Sequence, residues 1–127
     1  MKILKHSYTD ITGMARAGFT KDNYEIYVNT DDGGNIPHFH YRLKSDLNKF
    51  HTCIRLDSPE YFHHNGKEDV LNSSQKKNLQ KFLSSSVTLS RYKGKFENNF
   101  ELLCFLWDIN NSNVQSDDWD LPDYTTL

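Results

Sequence analysis

Cysteine is scarce in this chain of 127 residues: Cys53 and Cys104 are the only two, and they form no Cys-x-x-Cys pair. Free thiols in a reducing cytoplasm are the economical expectation, with Cys104 in an apolar run where a thiol is usually buried. Long apolar runs are missing too. No stretch of about 18 apolar residues occurs, so no bilayer-spanning helix is expected. Near Met1, the apolar pair Ile3 and Leu4 is flanked by Lys2, Lys5 and His6, so no leader sequence is expected there. The expectation is a cytoplasmic protein without membrane association.

Aliphatic residues are few as well. Hydrophobic residues make up 36% of the chain and the mean hydropathy is −0.76. Two Trp, seven Tyr and eight Phe compensate, because aromatic side chains bury large areas each. A disordered chain would lack them. The length suits one domain spanning residues 1–127, with 112–127 as an acidic-aromatic arm.

Charge of one sign is absent from two stretches. Residues 74–95 hold six basic side chains (Lys76, Lys77, Lys81, Arg91, Lys93, Lys95) and no acid, while 113–127 hold four Asp and no base. The net charge of −2 argues against general nucleic-acid binding. Attraction between the two stretches makes internal docking of the arm the default. Trp119, Leu121 and Tyr124 are its anchors, and they become partner-binding residues if the arm is free.

Regular alternation appears at residues 24–30, where Tyr24, Ile26 and Val28 share one face and Glu25, Tyr27 and Asn29 the other. The Asp31–Asn35 turn leads into a second strand at about 36–43, and a third follows at 51–56. Residues 8–20 are expected to be extended, although Gly13 and Gly18 interrupt any regular pattern. Ser58-Pro59-Glu60 has the residues of a helix start and predicts one turn, ended by Gly66. Asn72 and Gln75 have capping-box spacing and open a helix to about Ser85, with Leu79, Phe82 and Leu83 inward. A last helix, about Asn98 to Ile109, is apolar nearly all round and reads as a buried centrepiece. The fold expected is α+β: an antiparallel sheet of three or more strands with two C-terminal helices on one face.

Chemistry concentrates in Pro37-His38-Phe39-His40. Alternation puts His38, His40 and Arg42 on the face opposite Phe39, Tyr41 and Leu43. In the third strand, Ile54 and Leu56 go inward, so His51, Cys53 and Arg55 turn the other way. One register allowed by that parity sets His40 opposite Cys53, Arg42 opposite His51 and His38 opposite Arg55. The patch then has three readings: a covered polar sheet face, an anion site, or a metal site. Imidazole and thiolate suit zinc, but two guanidinium groups oppose a cation and suit phosphate or carboxylate. His38, His40, Arg42, His51 and Arg55 are therefore expected to bind an anionic ligand, with no metal and no cofactor. Cys53 with His40 or His51 has the makings of a nucleophile–base pair, but no orienting third group is evident. His63 and His64 are adjacent and point in different directions, so a capping or solvated role is expected of them. There is no Walker loop, no His-Glu-x-x-His, no serine elbow and no EF-hand series.

The Asn35–His40 strand after an acidic, glycine-rich turn resembles uncharacterised small bacterial and phage proteins with a Pro-His-x-His strand, over about residues 24–56. That family has no established catalytic residues to carry over. The Asn-, Lys- and Tyr-rich composition is similar to that of AT-rich bacterial or phage genomes. The expectation is a non-catalytic binding domain, encoded by a phage or mobile element, that engages an anionic small molecule or a partner protein. The alternative is a His-based phosphodiesterase or nuclease, disfavoured because carboxylates are not evident beside the histidines.

Overall fold

A computed structural model describes residues 14–29, 36–45, 49–62, 69–111 and 115–127. The Asp31–Asn35 turn, Gly13, His63, His64 and Gly66 lie outside them, as do 112–114 of the arm.

Four strands form one antiparallel sheet in chain order: β1 (Met14–Phe19), β2 (Tyr24–Asn29), β3 (His38–Leu43) and β4 (His51–Arg55). The expected alternation holds in β2, β3 and β4. Ile26 pairs with Tyr41, and Phe39 pairs with Ile54, which stacks the apolar sets on one face. β1 adds the extended structure expected upstream, with a register shift between Arg16 and Gly18. Gly18 sits at φ +152, and a Cβ there would come within 3.0 Å of the Phe82 ring. Both the backbone angle and the close approach require glycine.

Two helices, α1 (Ser73–Ser84) and α2 (Asn99–Asn110), make up the C-terminal part. Asn72 and Gln75 form the expected capping box, each side chain bonding the other's backbone N–H at 2.8 Å. Leu79 and Leu83 are fully buried, and Phe82 is half-buried beneath Gly18. In α2, Leu102, Leu103, Leu106 and Trp107 are all at 0% exposure, each leucine contributing about 1.5–3 kcal/mol by burial. They form one core with Ala15, Ile26, Val28, Phe39, Tyr41 and Ile54 of the sheet.

The Ser58-Pro59-Glu60 segment is not helical. It bends back so that Tyr61 bridges Ile54, with Arg55 N–H donating to Glu60 and Phe62 N–H to Cys53. Pairing with the edge of β4 satisfies more backbone than an isolated turn of helix would, and the Tyr61 hydroxyl accepts from Leu71 N–H.

The arm docks on the helices, but not by pairing Asp with Lys. Gln80 of α1 clasps it, donating to Pro122 O at 3.1 Å and accepting from Tyr124 N–H at 2.8 Å. Lys76 bonds the backbone oxygen of Leu127. Tyr124 is fully buried, edge-on to Phe39, and its hydroxyl donates to Arg55 O at 2.5 Å. Asp117, Asp118, Asp120 and Asp123 stay exposed.

Burial raises the phenol of Tyr27 to about 12 and pushes those of Tyr41 and Tyr124 up as well. Folded values above the unfolded one, about 10, mean that stability is complete below that pH and is lost as pH rises through the folded values. An alkaline titration is expected to show cooperative unfolding above about pH 10, with the part of the tyrosinate absorbance that Tyr27, Tyr41 and Tyr124 supply rising only with loss of circular dichroism. Full absorbance from all seven tyrosines while the circular dichroism is still native would contradict this.

Candidate functional site

The register of β3 on β4 is the one that brings the polar residues together: His38 faces Arg55, His40 faces Cys53 and Arg42 faces His51. β2 completes the face, with Tyr27 opposite His40 and Glu25 opposite Arg42. The His40 ring lies on the Tyr27 ring, centroids 4.8 Å apart, and 5.1 Å from the His51 ring. His40 Nδ1 is 2.9 Å from His51 Nε2 and 3.3 Å from Cys53 Sγ. Its Nε2 is 3.2 Å from the side-chain amide of Asn29. His38 donates from Nδ1 to Ile36 O at 2.8 Å, stacks on Phe62 and meets the edge of Trp107.

Exposure separates this cluster from an ordinary outer sheet face. His38 is at 0%, Cys53 at 1% and His40 at 2%, whereas His51 is half-buried. The acidic arm is not the cover, since it packs on α1 and α2. Donor atoms of His38, His40 and Cys53 all lie within 4.8 Å of one another, so among the described residues these three are able to hold a metal together.

Both arginines are paired with carboxylates. Arg42 donates to Glu25 at 2.7 Å and lies over the Tyr27 ring at 4.7 Å. Arg55 turns to Asp57 in a two-point contact, both bonds 2.7 Å, which holds the Asp57 carboxyl below its usual range. Glu25 is buried and accepts from Arg16 as well, at 2.5 Å. The expected absence of a carboxylate beside the histidines is therefore corrected, since Glu25 shares their face. The signal was available: the alternation of β2 already put Glu25, Tyr27 and Asn29 opposite its apolar set, and extending the register across one more strand reaches all three.

Asn29 also supplies the orienting group that sequence reasoning did not find. Cys53, His40 and Asn29 follow one another as nucleophile, base and orienter do in thiol hydrolases. Cys53 itself is almost fully enclosed, at 1% exposure.

The anchors of the arm divide. Trp119 and Leu121, both half-buried, line an open cleft of about 420 Å³ against α2, whereas Tyr124 belongs to the core and cannot meet a partner. Six carboxylates surround that cleft: Glu97, Glu101, Asp108, Asp117, Asp118 and Asp120. Phe96, Phe100, Phe105 and Trp119 provide its ring surfaces, and Cys104 lies in its wall with burial raising its thiol to about 12. Asp108 holds the cleft's shape by accepting from Ser116 N–H and Oγ–H at 2.6 Å each.

Replacing Glu25 by Gln removes the charge that both Arg16 and Arg42 use. A loss of about 2–3 kcal/mol is expected by urea unfolding, because charged hydrogen bonds at a buried acceptor are among the costly ones to remove. An unchanged midpoint would show that the two arginines carry no weight in holding the face.

No family model, no curated protein and no solved structure matches this chain.

Proposed function

We propose that this chain is a non-catalytic binding domain that seats a cationic segment of a partner protein in the cleft between α2 and the arm. One observation carries the reading. The cleft is open, it combines six carboxylates with four aromatic side chains, and among the described residues no basic one lines it. Among the described residues none of the six carboxylates is in an ion pair. A Lys or Arg side chain complements such a lining twice: its charge meets carboxylate and its stem or guanidinium plane meets a ring.

The anionic-ligand reading loses its support at the histidine cluster, where carboxylates already hold both guanidinium groups and the imidazoles are enclosed. Partner binding keeps two of the three anchors expected in the arm, Trp119 and Leu121, now as walls of a groove. The arm itself is held by Gln80, Tyr124 and Asp108, so the groove is preformed and little ordering cost falls on binding.

The test is titration with fluorescent oligo-arginine and oligo-glutamate peptides of equal length. Oligo-arginine is expected to bind and to quench tryptophan emission. Charge reversal of Asp118 and Asp120 to Lys is expected to weaken it by about tenfold or more, and added salt to screen it. Equal affinity for both peptides, or oligo-arginine binding indifferent to the reversal, would overturn the proposal.

A further inference from the structure

We propose that His38, His40 and Cys53 bind a divalent ion of the zinc class, in a closed site between β3 and β4 that Trp107 of α2 borders. The site is separate from the acidic cleft and does not depend on the reading of it.

Convergence is the first ground. Three side chains from two paired strands bring donor atoms to within 4.8 Å of one another, and all three are enclosed. Zinc holds imidazole nitrogen at about 2.0–2.1 Å and thiolate sulfur at about 2.3 Å, which sets donors about 3.3–3.7 Å apart around a tetrahedron. The separation of 3.3 Å between His40 Nδ1 and Cys53 Sγ is already that of a tetrahedral edge. The widest pair needs to close by only about 1 Å, within the reach of side-chain rotation.

Orientation is the second. An imidazole that ligates through one nitrogen characteristically gives its other N–H to a carbonyl or an equivalent acceptor. His38 does this: a carbonyl can only accept, so the bond to Ile36 O places the proton on Nδ1 and leaves the lone pair on Nε2 as the ligand atom. At His40 the same part falls to Asn29, whose carboxamide can turn its oxygen to Nε2 and leave Nδ1 for the ion.

Charge is the third. The two arginines that would repel a cation each face a carboxylate, Arg42 with Glu25 and Arg55 with Asp57, and the donors themselves are two imidazoles and a thiol. Two nitrogens and one sulfur suit a borderline ion rather than magnesium or calcium, which take oxygen. Binding replaces the thiol proton of Cys53, which leaves to solvent as the zinc–sulfur bond forms. His51 stands beside the set, its Nε2 at 2.9 Å from His40 Nδ1, and is the nearest residue for a fourth bond. Because the ligands are enclosed, the ion's part is to tie β3 to β4.

The experiment uses full-length protein stripped with chelator and titrated with cobalt(II), a spectroscopic stand-in for zinc. Expected are one equivalent bound, a thiolate-to-cobalt charge-transfer band, displacement by zinc, and a higher melting temperature with zinc. The Cys53→Ser variant is expected to lose the band, and Cys104→Ser to keep it. Should Cys53→Ser fail to fold, zinc-edge X-ray absorption of the wild-type protein decides, with one sulfur at about 2.3 Å expected. Folded wild-type protein that takes up neither ion, a band that survives in Cys53→Ser, or a zinc shell without sulfur would each overturn the proposal.

Discussion

β3 is buried on both of its faces, and most of what is distinctive in this structure follows from that constraint. His38, Phe39, His40 and Tyr41 are successive residues with no more than 2% exposure. A strand in that position cannot slip by one residue, because every imidazole would then enter the aliphatic core and every ring would enter the polar cluster. Register, core and cluster are thus one decision. It is enforced from β2 by Glu25, whose carboxylate reaches Arg42 on one neighbouring strand and Arg16 on the other.

The molecule keeps its two chemistries apart by access. On one side of the sheet, nitrogen and sulfur donors are sealed beneath Phe62 and beside Trp107. On the far side of α2, carboxylates and rings line a cleft that solvent reaches. An enclosed donor set can select an ion but not a macromolecule. An open acidic cleft has room for a side chain but lacks the ligand geometry that a transition metal demands.

Strands and helices were legible where a local signal had no competitor. The two-residue period of 24–29 and 38–43, the Asn72–Gln75 box and the all-round apolarity of α2 each have a single structural reading. Ser58-Pro59-Glu60 misled because a helix start and a turn use the same residues. The unpaired edge of β4 decided between them, and it is invisible to local reasoning. The same limit hid the partners of Arg42 and Arg55. One arginine finds its carboxylate 17 residues away across the sheet, the other two residues on. The histidine set itself was readable from parity alone. Its enclosure was not, since burial depends on what the chain folds over it afterwards.

The return of the chain at Glu60–Phe62 has a further consequence for how these molecules behave in a crowd. A sheet edge with open N–H and C=O groups is a template for strands of other molecules, and apolar residues such as Ile54 beside it make that template adhesive. Here the protein's own backbone occupies the sites first, at Ile54, Arg55 and Cys53. Pro59 lies in the bend that feeds this segment, and its ring offers no N–H for another strand to use. The outer margin of β4 is therefore spent internally, and growth of the sheet from one copy into the next is blocked on that side.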